Sequence, residues 1–381
     1  MSKAKVDSFR AALSAYSDSN YRYSLPTGLY TSKSWLAYET KHLLRREWIC
    51  LGRVGEVPNT GDYFTLDVLG EPLLIVRGKD DAVRVLSNVC RHRNMQVAEG
   101  QGRARSFVCP YHAWSYKLDG GLLQAPLMPE VDRSNCGLPE FQSEIWQGFL
   151  FVNLDGKATP LAPRLTGLDG ILKNYHTDEM HHVFATEEIW DANWKCLLEN
   201  FMEGYHLSRV HPQTLGGRTP TKLCEKFESG EGYTGYRANY PPTAPFRGDC
   251  HPDLTEKEKS CSTLFSIFPA MVASQSSDVL AYMTLQPAGV DQVRIRWGLS
   301  VYDKDMSDEE IQSRVELWQA INAEDQIKLA KVQHALHSRS AVSGPLAPDD
   351  FEGTIRDIYS YLARRLQHTP ANTQETENAH S

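Results

Sequence analysis

Apolar positions along the chain have two textures. Across residues 48–154 they come as short runs (63–68, 72–77, 84–89, 106–109 and 149–154) split by Gly, Pro, Asn and Asp. Runs of that length with that punctuation predict a small all-β domain. Upstream, Leu36, Leu43 and Leu44 recur at i, i+7 and i+8. That spacing predicts a helix burying those leucines, with Trp35 at the edge of the stripe. Downstream, 192–210, 307–337 and 348–367 read as helices, and 264–272, 279–286 and 293–301 as strands. Asp308-Glu309-Glu310 suits a helix start, where the dipole favours negative charge. The fold class is therefore α+β. An N-terminal arm and helix (1–44) pack on the larger domain, and an all-β domain (45–156) follows. Asp155-Gly156 and the proline-containing 157–163 mark the boundary to a mixed domain (157–368), and a polar tail (369–381) is expected to be disordered.

Composition narrows the possibilities. Of 381 residues, 41% are hydrophobic, which is enough for more than one core. The longest apolar runs, such as 73–76 and 149–152, fall far short of the ~20 residues of a membrane span. The first residues show no apolar export-signal region. The expectation is a cytoplasmic protein with no membrane partner. Forty basic residues face 48 acidic ones, a formal charge of −8, which argues against nucleic acid as a partner because phosphate binding needs a basic field. Without an export signal, the eight cysteines read as thiols or metal ligands and not as a disulfide framework.

Cys90-Arg-His92 is followed by sixteen residues and then Cys109-Pro-Tyr-His112. Ligands separated by one or two residues sit on tight turns, and two such turns can hold one metal centre between them. Four unrelated residues would not match in type and order. A structural zinc site accepts Cys₂His₂ but usually pairs Cys with Cys and His with His. Here each loop supplies one of each, as in a Rieske [2Fe–2S] cluster, with two Cys on one iron and two His on the other.

The run Cys90-Arg-His-Arg … Glu99-Gly-Gln-Gly … Cys109-Pro-Tyr-His-Ala-Trp-Ser-Tyr resembles the Rieske motif of the Rieske non-haem iron oxygenases, large (α) subunit. The resemblance implies that Trp114 shields the cluster and that Gly100 and Gly102 form the turn between the loops. Asn94 stands where the family usually has Gly. Asn tolerates left-handed backbone, so the turn is expected to survive.

The segment Glu203-Gly-Tyr-His206-Leu-Ser-Arg-Val-His211-Pro resembles the mononuclear-iron motif of the same family. On a straight helix residues i and i+5 point roughly 140° apart, so a shared metal requires the helix to unwind or distort between His206 and His211. The resemblance implies a 2-His-1-carboxylate Fe(II) site, which leaves positions open for O₂ and substrate. It places the third ligand in the late helix, at Asp325 with Glu324 as the alternative, and the two do not face one metal together on a helix. It makes Glu203 a bridge between His206 and the cluster histidine, His112, of a neighbouring subunit. That in turn implies a head-to-tail ring, most simply a homotrimer. Asn200 is a candidate supporting residue.

The resemblance further implies an antiparallel catalytic sheet gripped by helices (helix-grip, START-like). Gly230-Glu-Gly-Tyr-Thr-Gly235 fits G-x-G-x-x-G, but no apolar strand precedes it, and Tyr240-Pro-Pro comes where a helix is needed. With no flavin or nicotinamide site, NAD(P)H acts only indirectly, through a separate flavin/iron–sulfur reductase. The expected function is that of a terminal oxygenase, a monooxygenase rather than a dioxygenase. The texture, and Glu203 where naphthalene-type dioxygenases often have Asp, look closer to the choline/carnitine/betaine branch. This implies oxidative N-demethylation or hydroxylation of a quaternary or methylated amine. Candidate rings for an aromatic cage are Tyr205, Phe265, Phe268, Tyr282 and Trp297. The alternatives are an oxygenase acting on an aromatic ring or aromatic acid and, more remotely, a non-catalytic iron–sulfur electron carrier.

Overall fold

A computed structural model describes residues 3–244 and 248–367, so the tail expected to be disordered lies outside the described residues. The N-terminal arm packs on the larger domain: Arg10 bonds the carbonyl of Gln367, and Ser360 Oγ donates to the carbonyl of Tyr16. Ser32 caps the Lys33–Glu39 helix by accepting from the Trp35 N–H. Trp35 lies at the centre of the buried stripe and not at its edge, with its indole N–H on Glu39 at 2.7 Å, while Leu36 is only half-buried. The chain then widens into a π turn over Thr40–Leu44, which changes the residue phase and keeps Leu43 and Leu44 inside. Lys195 Nζ, 2.8 Å away, meets the buried Glu39 carboxylate.

The all-β part holds three antiparallel sheets built from β1 (Trp48–Arg53), β2 (Asp62–Val68), β3 (Glu71–Arg77), β4 (Val83–Ser87), β5 (Gln101–Arg103), β6 (Phe107–Val108), β7 (Ser115–Tyr116), β8 (Leu122–Gln124), β9 (Gln142–Trp146) and β10 (Phe149–Asn153). Their orders are β4-β3-β2-β5, β6-β7-β8 and β1-β10-β9. Strand β3 is buried on both faces, which is why 73–76 is a continuous apolar run and not an alternation. Leu74 and Val76 pack with Cys90 and Trp114, whereas Leu73 and Ile75 pack with Val85 and Val152.

The larger part is one seven-stranded antiparallel sheet. Its strands are β11 (His181–Trp190), β12 (Cys224–Lys226), β13 (Tyr233–Asn239), β14 (Cys261–Ile267), β15 (Met271–Gln275), β16 (Val279–Pro287) and β17 (Val293–Val301), in the order β11-β17-β16-β15-β14-β13-β12. The single strand expected over 264–272 is two, β14 and β15, because the chain reverses at Phe268-Pro269 and proline cannot continue the ladder. Strand β11 has no sequence signal: it carries Glu187 and Glu188, is mostly half-exposed, and shows no apolar alternation. The helices Trp194–Phe201, Asp308–Leu336 and Asp349–Gln367 cover one sheet face. Against the other face pack β1, β10 and the Thr166–Leu172 helix, through Trp48, Phe149, Leu168 and Leu172 on Phe265, Ala273 and Tyr282. Among the described residues no helix is long and apolar enough to cross a membrane.

Candidate metal centres and substrate cavity

The two Cys–His loops close in the same way. Asn94 N–H donates to the Cys90 carbonyl at 3.0 Å, and Ala113 N–H donates to the Cys109 carbonyl at 3.0 Å. Both turn residues are left-handed, Asn94 at φ 58° and Ala113 at φ 59°, so Asn does adopt the conformation that usually calls for glycine. Gly100 also has positive φ (64°), whereas Gly102 lies in β5 opposite Tyr63. Cys90 and Cys109 are buried. The rings of His92 and His112 lie 4.5 Å apart, with His112 exposed. Trp114 stacks on His92 at 5.0 Å and nearly parallel. Tyr116, which the sequence did not single out, has its hydroxyl 3.2 Å from Cys90 Sγ and accepts the Arg91 N–H at 3.0 Å.

This donor set fits a two-iron cluster. Burial and the adjacent Cys90 thiol raise the Cys109 pKa, so two thiolates here call for a cation between them. His92 Nδ1 is buried without a hydrogen-bond partner. Partial desolvation against its neighbours, together with His92 and Arg93, lowers the His112 pKa and favours the neutral ring that ligates iron.

In the second constellation the helix expected over 192–210 breaks before His206. The Trp194–Phe201 helix ends, residues 202–205 turn, and a single helical turn, Leu207–Val210, follows. Gly204 is required at the break, since a Cβ there would sit 2.5 Å from Cys224 Sγ. His206 enters that short turn and His211 leaves it. The i, i+5 pair thus points inward from its two ends, with the Nε2 atoms 3.2 Å apart. From the Asp308–Leu336 helix, Asp325 Oδ1 comes to 3.1 Å from His211 Nε2 and 3.7 Å from His206 Nε2. This Oδ1 is buried with no hydrogen-bond partner, and the three ligand atoms lie within 4.8 Å of one another. Two imidazoles and one carboxylate oxygen aimed at a common point fit a ferrous ion.

Glu324 does not join that set. It lies on the far side of His211, accepting from Nδ1 at 2.8 Å and from Thr214 Oγ1 at 2.6 Å. Burial opposes protonation of His211, but Asp325 and Glu324 outweigh it and raise its pKa. Glu203 is the counterpart on His206: its Oε1 meets His206 Nδ1, and its Oε2 accepts the His206 backbone N–H at 3.0 Å. Tyr236 OH donates to the Glu203 carbonyl at 3.2 Å. Each histidine therefore has a carboxylate setting its tautomer. Asn200 is half-buried near the end of the preceding helix.

A cavity opens onto His206, His211 and Asp325, walled by Phe201, Leu215, Tyr236, Leu264, Ser274 and Trp318. None of the five rings expected to form a cage lines it. Tyr236, Leu264 and Ser274 are cross-strand neighbours on the sheet face toward the metal site. Phe265 and Tyr282 are one residue out of phase and face the opposite core. Trp297 lies on β17 against Phe184, and its indole N–H donates to Glu188. Phe268 stacks on Tyr361 at the β14–β15 turn, and Tyr205 is 60% exposed beside Phe351. Phe201, Tyr236 and Trp318, which the sequence reading passed over as cage candidates, are the aromatic rings walling the site.

Residues 172–368, just over half of the chain, match the ring hydroxylating alpha subunit (catalytic domain), and residues 47–142 match the Rieske [2Fe–2S] domain. The chain belongs to the ring hydroxylating alpha subunit family. As a Rieske-type ring hydroxylating alpha subunit it takes a [2Fe–2S] cluster and a mononuclear iron. Its relatives include the carnitine monooxygenase oxygenase subunit of Acinetobacter baumannii, 35% identical over 50% of this chain and 53% of that one. The glycine betaine monooxygenase oxygenase subunit of Chromohalobacter salexigens is 33% identical over 51% of this chain and 44% of that one. The 2-aminobenzenesulfonate 2,3-dioxygenase subunit alpha of an Alcaligenes species is 35% identical over 44% and 45%. The matched region spans about half the length of these relatives. The fold matches the quaternary ammonium Rieske monooxygenase CntA in complex with L-carnitine, with a TM-score of 0.80 at 23% identity over 95% of this chain and 99% of that one. It also matches naphthalene 1,2-dioxygenase from Rhodococcus, with a TM-score of 0.82 at 18% identity over 97% and 100%.

Proposed function

We propose that this chain is the terminal oxygenase of a cytoplasmic multi-component system, fed from NAD(P)H by a separate flavin/iron–sulfur reductase, and that it hydroxylates an N-methyl carbon of a quaternary or methylated amine. The observation that carries the reading is the convergence of His206, His211 and Asp325 beneath a ring-walled cavity. When bound, the cluster relays single electrons and the ferrous ion activates O₂. Cys90, Cys109, His92 and His112 hold the cluster. Glu203 and Glu324 orient the two iron-binding imidazoles, and Trp318, Tyr236 and Phe201 offer ring faces to a cationic ammonium. The hydroxylated methyl leaves as formaldehyde.

His112 is exposed, and Glu203 already holds His206. In a head-to-tail homotrimer a neighbouring copy's exposed His112 would meet Glu203 and complete the route between the two metal centres. The relatives named for carnitine and glycine betaine support the substrate class. A second reading, an aromatic acid, is favoured by the aminobenzenesulfonate relative and by the aromatic wall.

Metal analysis with EPR of the reduced protein tests the oxygenase reading. About three irons per chain are expected, two for the cluster and one for the mononuclear site. About two irons would mean an electron carrier. Formaldehyde release from L-carnitine, gamma-butyrobetaine or glycine betaine tests demethylation, and its absence from all three, with hydroxylation of an aromatic acid, selects the second reading.

A further inference from the structure

The cavity over the metal ligands continues outward. Leu215, Trp318 and Ile321 line both the chamber that holds His206, His211 and Asp325 and an outer chamber bounded by Tyr240, Asp278 and Arg314. Trp318 precedes Asp325 by seven residues on the Asp308–Leu336 helix, which is two turns or about 10 Å along its axis. The sheet forms the facing wall. Tyr236, Leu264 and Ser274 are cross-strand partners on β13, β14 and β15, so Ser274 lies roughly 10 Å across the sheet from Tyr236 at a strand spacing of about 4.8 Å. Ser274 lines both chambers, which puts it where the inner one opens into the outer.

Six side-chain hydroxyls line the two chambers, and five are engaged within the protein. Tyr236 OH donates to the Glu203 carbonyl at 3.2 Å, and Thr219 Oγ1 donates to the Leu215 carbonyl at 3.3 Å. The hydroxyls of Tyr240 and Ser262 share a hydrogen bond at 2.7 Å. Ser276 Oγ donates to Asp278 Oδ1 at 3.0 Å. The sixth belongs to Ser274. This residue is only 7% exposed, and its Oγ has no hydrogen-bond partner among the described residues. Its backbone is fixed in the ladder between Leu264 and Ala281, so the hydroxyl can only rotate and cannot move to a partner elsewhere. A ligand that fills the cavity strips water from this hydroxyl. It must then supply a hydrogen-bonding atom of its own or leave a desolvated polar group unpaired, which weakens its binding.

Resting on the oxygenase reading above, we propose that the Ser274 hydroxyl is a specificity determinant that hydrogen-bonds a neutral hydroxyl of the substrate, a few bonds from the carbon attacked. A hydroxyl is both donor and acceptor, so two of them pair in either sense. The residues beside Ser274 on the wall, Leu264, Trp318 and Ile321, carry no charge, which suits a neutral group at this point. L-carnitine has such a hydroxyl on the chain between its ammonium and its carboxylate. Gamma-butyrobetaine is the same molecule without it. Among methylated amines Ser274 therefore selects the hydroxylated member of the pair.

The test is calorimetric binding to the anaerobic, iron-loaded full chain, for wild type, Ser274→Ala and Ser274→Thr. The probes are two matched pairs that each differ by one hydroxyl: L-carnitine with gamma-butyrobetaine, and 2-hydroxybenzoate with benzoate. Wild type is expected to bind L-carnitine about 3–10-fold more tightly than gamma-butyrobetaine. Ser274→Ala should remove most of that preference by weakening L-carnitine, with gamma-butyrobetaine moved by less than about twofold. Ser274→Thr keeps a hydroxyl and should restore part of the preference. Unchanged cluster absorbance, iron content and Tm keep the comparison free of folding effects. If only the benzoates bind, and a preference for 2-hydroxybenzoate disappears in Ser274→Ala, the hydroxyl contact stands and the amine reading falls. If both amines bind with equal affinity and Ser274→Ala changes neither, the contact is overturned and the amine reading is left intact. A reversed preference in wild type, equal losses for both members of a pair, or no binding by any probe also overturns the contact.

Discussion

Removing the Glu324 carboxylate should loosen the mononuclear iron without touching its ligands. Glu324 accepts His211 Nδ1 at 2.8 Å and Thr214 Oγ1 at 2.6 Å, and it makes no contact with the point where His206, His211 and Asp325 meet. In Glu324→Ala, His211 loses the acceptor that keeps its proton on Nδ1 and its lone pair on Nε2. Supports of this kind change metal affinity by about 10–100-fold, or about 1.4–2.8 kcal/mol. The Glu324 side chain is 24% exposed, so solvent screens part of the effect and the lower half of that range is expected. Glu324→Gln retains an acceptor oxygen and should lose less than Glu324→Ala. The assay is iron retention against a competing ferrous chelator, with the visible absorbance of the cluster as an internal standard for folding. Asp325→Ala is the calibrating variant and should fall to about two irons per chain. If Glu324→Ala lost its iron outright while Asp325→Ala kept it, the assignment of the two acids would be reversed. If Glu324→Ala held iron as tightly as wild type, the supporting role would be wrong.

Three further outcomes follow. Glu203→Gln should keep the cluster and most of the mononuclear iron but slow single-turnover oxidation of the reduced cluster by at least ~10-fold; a wild-type rate would remove Glu203 from the electron route. Burial, with Arg296 and Arg53 nearby, lowers the His182 pKa from the ordinary 6.5 to about 4. The folded state therefore keeps His182 neutral while the unfolded chain protonates, and stability falls as pH drops from about 6.5 to about 4, by up to about 3 kcal/mol. Urea unfolding across that window should show a shallower loss in His182→Asn, and an unchanged slope would refute the assignment. Phe265→Ala should cost about 3–5 kcal/mol of stability yet spare ligand affinity, whereas Trp318→Ala should weaken ligand binding at a smaller stability cost; the reverse pattern would return Phe265 to the cavity.

The cluster loops were legible because their ligands are local. Cys90 with His92 and Cys109 with His112 are two and three residues apart, so a single turn orients each pair, and the left-handed conformation needed at Asn94 is one its side chain tolerates. The hairpin pairs β2–β3 and β3–β4 were equally local, as was the acidic start of the long late helix, whereas β1 finds its partner β10 about a hundred residues on. His206 and His211 were harder to read. Their spacing only demanded a distorted helix, and the break at Gly204 depends on Cys224 packing against it.

Two features required the assembled tertiary structure. Glu324 and Asp325 are adjacent acids on one helix, and only its docking against His211 separates the carboxylate aimed at the metal point from the one behind the ring. Strand alternation makes Leu264 and Phe265 equally good candidates for the cavity, and a shift of one residue exchanges them. The core formed by β1, β10 and the Thr166–Leu172 helix took Phe265, leaving Leu264 and the distant Trp318 to wall the site. Local spacing determines which way a turn or helix face points relative to its neighbours in sequence. What that face meets depends on elements a hundred residues away, and in this protein those contacts decide which rings the substrate sees.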